Sequence, residues 1–211
     1  MINIYDYDYF IFDCDGVILN SNQFKTEAFA QVISDENPTL VNRFIEYHKK
    51  NGGVSRYEKL RHFYKIIKKE KSYEQDLEYS LTQFSRIVSK GLLKCDYVPG
   101  VLKFIKKLHS ENKNLFIVSG SDQKELVTIF QKRGIYDFFN KIFGSPNSKI
   151  ENTKKVLSLI KPNSAGVFLG DSRSDYDASI HCNMDFLFVK EFSEWVDWKA
   201  EIKNGNVINN F

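Results

Sequence analysis

Tyr9-Phe10-Ile11-Phe12 runs without a polar interruption straight into Asp13-Cys14-Asp15-Gly16. An apolar segment too short for a helix, and without the alternation of a half-solvated strand, predicts a strand buried on both faces, as inside a parallel sheet. The design recurs twice. Leu115–Val118 stops at Ser119-Gly120-Ser121, and Val167–Leu169 stops at Gly170-Asp171. Three buried strands, each ending in polar residues, predict one sheet with its chemistry along the carboxyl edge.

Beyond Pro99-Gly100 the chain alternates between helical and strand-like patterns. Val101, Phe104, Ile105 and Leu108 share a helical face before Leu115–Val118, and a helix over 122–132 leads to the apolar segment 141–143. Helices over 153–160 and 176–181 lead to 167–169 and 186–189. The alternation predicts an α/β fold with a Rossmann-like, doubly wound parallel sheet. Residues 20–94 show helical patterns only. Asn37-Pro38 is an N-cap with proline at the first helical position, Leu40, Val41, Phe44 and Ile45 share a face, and Asn51-Gly52-Gly53 ends that helix. Ser55–Glu58 and Ser72–Gln75 have capping-box spacing, the second opening a helix with Leu77, Leu81, Phe84 and Val88 on one stripe. The expected organisation is a core of 1–19 and 95–211 interrupted by an inserted α-helical cap over 20–94. The insertion leaves the chain just after the first strand, so it is placed to cover the active edge as a lid.

Composition excludes several classes of function. A net charge of +3 on 211 residues is too small to imply a nucleic-acid partner. The longest apolar runs are too short to cross a bilayer, and no basic-then-apolar leader opens the sequence. Cys14, Cys95 and Cys182 are odd in number and widely spaced, which argues against a disulfide framework or a zinc site and for a reducing, cytoplasmic location. Residues 17–95 hold 14 Lys/Arg against 9 Asp/Glu. A basic insertion beside an acidic core draws anionic ligands, although solvated helix faces would produce the same count.

Asp13 and Asp15 leave the strand one residue apart, so their carboxylates can point the same way. Two close carboxylates repel unless a cation compensates, and Asp171 brings a third from another strand end. All-oxygen ligation without His or Cys favours Mg²⁺ over zinc. Ser119-Gly120-Ser121-Asp122 combines a hydroxyl, a permissive backbone and a helix N-terminus, which together present donors to an anion while Ser121 or Asp122 caps the helix. Lys149, at the end of the Pro-containing loop 144–149, can neutralise both a nucleophilic carboxylate and a transferring phosphoryl group.

Taken in order, Asp13-Cys14-Asp15-Gly16, Ser119 in Val118-Ser119-Gly120-Ser121, Lys149, and Gly170-Asp171-Ser172-Arg173-Ser174-Asp175 resemble the four motifs of the haloacid dehalogenase-like hydrolase superfamily. The resemblance is to its phosphatases with a helical cap between the first two motifs, the phosphoglycolate phosphatase and β-phosphoglucomutase-like group. It implies that Asp13 is a nucleophile forming an aspartyl-phosphate, and that Asp15 is the general acid and base. Asp13, the backbone carbonyl of Asp15 and Asp171 would bind Mg²⁺. Ser119, the Gly120 amide and Lys149 would hold the phosphoryl oxygens, with Asp175 orienting Lys149 or a metal-bound water. Dehalogenases and phosphonatases of this fold lack an acid two residues after the nucleophile, so Asp15 favours a phosphate ester. Lys25 stands where mutases of the family keep a His, and Asn20 replaces an Asp common in the family.

The cap sets substrate choice in such proteins. The Gly52-Gly53 turn is expected to bring Arg56 or Lys59 over the site, with Lys25 as a further grip on an anionic or hydroxyl-rich substrate. His48 and His62 read as helix decoration. Trp195 and Trp198 are expected to cover a sheet edge, and 192–211 shows no site pattern. The implied activity is Mg²⁺-dependent hydrolysis of a small phosphorylated metabolite. A sugar, polyol or amino-alcohol phosphate is expected, because the sequence is similar to members associated with surface-polysaccharide biosynthesis. The alternatives are a phosphomutase or phosphotransferase, and a non-catalytic regulator that binds a phosphorylated ligand.

Overall fold

The computed structural model describes residues 4–202 and 206–211. Six strands form one parallel sheet: β1 (Tyr9–Phe12), β2 (Asn114–Asp122), β3 (Lys141–Ser145), β4 (Gly166–Gly170), β5 (Asp185–Val189) and β6 (Asn206–Ile208). Their order is β3-β2-β1-β4-β5-β6. The chain winds outward from β1 on one side, then returns to start β4 on the other. This reversal puts the carboxyl ends of β1 and β4 at the crevice where open α/β sheets bind ligands.

All four residues of β1 are buried, as its uninterrupted apolar run requires. Alternate side chains feed opposite faces of the sheet. Phe10 and Phe12 join Leu115, Ile117 and Leu169 under α5 (Val101–Ser110) and α6 (Gln123–Lys132). Tyr9 and Ile11 join Phe116, Val118, Phe168 and Phe188 on the face that includes Val156 of α7 (Lys149–Leu157) and Ala178 of α8 (Arg173–His181).

Four helices occupy the stretch between β1 and α5: α1 (Asn22–Val32), α2 (Pro38–Lys50), α3 (Arg56–His62), extended by a π-helical turn over Phe63–Ile67, and α4 (Glu74–Leu92). Aromatic rings hold them together, with Phe29 centred 4.1 Å from Phe84 and 5.6 Å from Phe44, and Phe44 5.1 Å from Phe63. Two expected caps are present: Asn37 accepts from the Thr39 amide at 2.9 Å and Ser55 from the Glu58 amide at 3.3 Å.

Three helix starts differ from the sequence reading, each for a local reason. Ser72 does not cap α4. The helix begins at Glu74, whose carboxylate accepts from the Tyr73 amide at 3.1 Å and serves that end instead. α7 begins at Lys149 rather than near 153, because Ser148 and Glu151 form a reciprocal capping box. α8 begins at Arg173 rather than 176, because the Asp175 carboxylate accepts from both the amide and the hydroxyl of Ser172. Residues 192–211 also hold more structure than expected, with the short helix α9 (Trp198–Glu201) and the sixth strand. Trp195 and Trp198 lie over Phe188, at 5.7 and 5.0 Å between ring centres. No helix among the described residues is long and apolar enough to cross a membrane.

Candidate active site

The Asp13 amide donates to the Leu169 carbonyl at 2.9 Å, tying the end of β1 to β4. Its carboxylate is thereby held in the crevice, accepting from the Cys14 amide at 2.7 Å and from Lys149 Nζ at 2.8 Å. Lys149 stands at the start of α7 and also donates to Asp175 Oδ1 at 2.5 Å. Gly16 has φ +74, and a Cβ there would lie 2.2 Å from Asp171 Oδ2. Only glycine both adopts that backbone and leaves room for Asp171. Asp171 in turn accepts from Asn22 Nδ2 at 2.6 Å.

Asp13, Asp171 and Asp175 are all buried, and each offers a carboxylate oxygen within 4.8 Å of the others. Burial, reinforced by Asp175 and opposed by Lys149, pushes the Asp13 carboxyl up to about 7. Burial and the charges of Asp13 and Asp175 likewise raise Asp171 well above the usual carboxylate range. Against burial, Asp13 and Asp175 hold Lys149 above the ordinary lysine range. One ammonium thus serves three crowded carboxylates, and the excess negative charge fits a hard divalent cation with oxygen ligands. Asp175 is taken up by Lys149 and Ser172, which leaves Asp13 and Asp171 as the side chains best able to ligate.

The Asp15 carboxylate is turned away from this cluster. It accepts from Lys25 Nζ at 2.6 Å, Ser121 Oγ at 2.9 Å and Ser21 Oγ at 2.5 Å. Burial opposes its ionisation, yet Lys25 and the two hydroxyls hold it below the usual carboxylate range. As a metal ligand Asp15 therefore has only its backbone carbonyl to offer. On β2, the fully buried Ser119 accepts from the Ser121 amide at 3.2 Å. A Cβ on Gly120 would meet the Gly53 carbonyl at 2.0 Å, so this glycine permits the cap to touch the core.

The helical segment closes over these loops. Gly53 has φ +75, and a Cβ there would lie 2.0 Å from Ser174 Oγ and 2.7 Å from Lys149 Nζ. Arg56 grips α6 rather than standing free: its guanidinium donates to Glu125 at 2.5 and 3.1 Å and to Ser85 at 3.0 Å. Tyr57 adds a hydrogen bond to Asp122 at 2.8 Å. Lys25, Arg56 and Lys59 line one cavity together with Asp13, Asp15 and Asp171.

A family model described as haloacid dehalogenase-like hydrolase matches residues 10–189, from within β1 to the end of β5. The chain belongs to this family. No curated protein matches it significantly. Among solved haloacid dehalogenase-like folds, CbbY from Rhodobacter sphaeroides in complex with phosphate superposes with a TM-score of 0.75 at 13% identity, over 97% of this chain and 94% of the other. A mutant of CbbY in complex with xylulose-(1,5)bisphosphate gives 0.73 at 12% identity, over 97% and 94%. YfnB from Bacillus subtilis, bound to magnesium, gives 0.69 at 19% identity, over 97% and 95%. At these identities the likeness shows the fold alone.

Several residues complete this haloacid dehalogenase-like site without having been expected there, and Lys25, expected as a grip on the substrate, is paired with Asp15 instead. Asn22, Lys25 and Thr26 share one face of α1, a spacing visible in the sequence once the helix is given a direction. Asn22 steadies Asp171, Lys25 holds Asp15, and Thr26 lies 2.8 Å from His48. His48 is not helix decoration. It is buried and hydrogen-bonded at both ring nitrogens, to Thr26 and at 2.8 Å to Lys59. His62, by contrast, stacks on Tyr47 away from the cavity. Segment 192–195 also reaches the site: Phe192 accepts from Asn22, Ser193 donates to the Asp171 carbonyl, and Glu194 lines the cavity. No motif marks that segment in the sequence.

Proposed function

We propose that this protein is a Mg²⁺-dependent phosphatase that hydrolyses a small phosphorylated metabolite through an aspartyl-phosphate, with residues 20–94 as the cap over a core of 1–19 and 95–211. One observation carries the reading. A buried carboxylate, Asp13, sits at the switch point of the sheet with Lys149 at 2.8 Å and a second acid, Asp15, two residues on. Family membership and the phosphate-bearing fold relative support it.

In the first step an Asp13 carboxylate oxygen attacks phosphorus, the ester P–O bond breaks, and the proton of Asp15 passes to the leaving alkoxide. In the second, the Asp15 carboxylate takes a proton from water as the water oxygen attacks phosphorus, releasing phosphate and restoring Asp13. Lys149 draws charge from the phosphoryl oxygens and is aimed by Asp175, while Ser119 and the Gly120 amide receive the remaining oxygens. Asp13, Asp171 and the Asp15 carbonyl would hold Mg²⁺, which when bound supplies positive charge to the phosphoryl group. Closure of the 52–53 turn onto the core keeps bulk water away from phosphorus while Asp13 attacks in the first step. The alcohol part faces the cap, and we take it to be a sugar, polyol or amino-alcohol, as in surface-polysaccharide synthesis.

The deciding experiment is phosphate release from a panel of such esters, with Mg²⁺ and with excess chelator, in wild type and Asp13→Asn. Metal-dependent release that falls at least about a thousandfold in the variant is expected, since removing a nucleophile removes the covalent route. Full activity in Asp13→Asn sinks the mechanism. Isomerised product without stoichiometric phosphate makes the protein a mutase.

A further inference from the structure

Four cations line the cavity above Asp13: Lys49, which is exposed, and the buried Lys25, Arg56 and Lys59, of which two are already matched by carboxylates. Lys25 is paired with Asp15 at 2.6 Å and Arg56 with Glu125 at 2.5 Å. Lys59 differs. Its side chain is buried, and among the described residues no carboxylate lies within ion-pair distance of it. Its ammonium lies 5.6 Å from the centre of the Phe29 ring and 2.8 Å from His48 Nδ1.

The polarity of that contact can be deduced. An ammonium only donates, so His48 Nδ1 accepts and the ring proton sits on Nε2, which faces Thr26 Oγ1 at 2.8 Å. Thr26 then donates its own proton to Glu194, at 3.2 and 3.3 Å. This chain fixes the direction of Lys59 without neutralising it. Burial, reinforced by the positive charge of Lys25 and eased by Glu194 and Asp15, pushes Lys59 down to about 7. A buried ammonium with a neutral partner is costly unless an anion joins it.

We propose that Lys59 is the subsite for a second oxyanion on the substrate, so that the preferred phosphomonoester carries another negatively charged group on its alcohol part. Lys149 and the motif loops take the transferring phosphoryl group, and Lys59, across the same cavity, takes the second. His48, Thr26 and Glu194 are positioning residues that aim the ammonium. The inference rests on the phosphatase reading for the identity of the first group. It narrows the substrate from neutral esters to acidic or doubly phosphorylated ones.

The test compares ligands that differ only in the second anion, by calorimetry in an Asp13→Asn background that prevents turnover. The carboxylate arm sets 3-phosphoglycerate against glycerol 3-phosphate and 6-phosphogluconate against glucitol 6-phosphate. The phosphate arm sets fructose 1,6-bisphosphate against fructose 6-phosphate. At least a tenfold tighter Kd for the anionic member of one arm is expected, and the arm that responds identifies the oxyanion. Adding Lys59→Met should reduce the ratio to within twofold, Lys59→Arg should keep most of it, and Thr26→Val should lower it in part. Should Lys59→Met not fold, Lys59→Gln serves the same comparison. Equal binding within every pair, or a preference that survives loss of the cation, overturns the proposal. Phosphate release by wild type from the same esters separates the two readings. Release without preference removes the subsite and keeps the phosphatase; preference in binding without any release does the reverse.

Discussion

Lys25 and Lys59 line the same cavity, yet their surroundings give them different tasks. Lys25 touches Asp15 and Ser121, so its charge is spent on keeping Asp15 ionised. In the proposed mechanism this ionised Asp15 would be the base of the second step, and the acid form of the first step would require loosening the contact. Replacing Lys25 with Met removes the main group that lowers Asp15. Its pKa should rise, so the acidic limb of the pH–kcat profile should move to higher pH, with a fall in kcat. An unshifted limb would mean that Asp15 is not the titrating base. Asp13 and Lys149 show the converse situation: burial and Asp175 raise Asp13, while Asp13 and Asp175 raise Lys149 against burial, and an added cation would relieve the crowding of the carboxylates.

Contacts between elements decide how firmly the helical segment sits on the core. α3 presents Arg56 and Tyr57 to Glu125 and Asp122 at the start of α6, and the turn before α3 places Gly53 against Gly120 and Lys149. The Arg56 and Glu125 side chains are only 3% and 8% exposed. Removing one partner strands the other, which for buried pairs costs about 3–5 kcal/mol. Glu125→Gln and Arg56→Met should each destabilise the protein, whereas the double variant should recover part of the loss. A coupling energy of at least about 1 kcal/mol in denaturant melts is expected for residues in such contact. Simple additivity would show that the pair contributes nothing specific to closure. These contacts tie to Glu125 the guanidinium of Arg56, which the sequence reading offered as a substrate contact alongside Lys59, and the proposed anion subsite rests on Lys59.

At the scale of the whole molecule, the winding order brings three distant stretches to one crevice. β1 and β4 supply Asp13 and Asp171, the helical insertion covers them, and segment 192–195 returns to brace Asp171 and Thr26. His48 lies where these parts meet, and burial, followed by the charges of Lys59 and Lys25, pushes it down to about 2. The folded protein thus keeps His48 neutral while the unfolded chain takes up a proton below its ordinary value near 6.5. Because the folded pKa is the lower one, this contribution is complete above about 6.5 and is lost as pH falls. Lowering pH from 7 to 5 should cost about 2 kcal/mol through this residue alone. The comparison of chemical melts at the two pH values in wild type and His48→Gln isolates it from the opposite trends of Asp13 and Asp171. Equal pH slopes in the two proteins would show that His48 is not held neutral.

The sequence by itself determined the class of fold and the core of the site. Apolar runs ending in Asp13, Ser119 and Asp171 read as buried parallel strands, and the four-residue spacing ties Asp171, just ahead of α8, to Asp175 in its first turn. Lys149 was legible for the same reason, as the residue after a strand on the active edge. Tertiary structure decided which charges meet. Whether Lys25 faces a substrate or Asp15, whether Arg56 is free or bound to Glu125, and whether His48 is exposed all depend on how the helical segment docks on the core. The part played by Ser193 and Glu194 depends on where the chain returns after β5. Helical or strand periodicity reports which face of an element is buried. It carries no information about which polar group on a distant element lies opposite, and a short-range hydrogen bond or ion pair is decided by that distance alone.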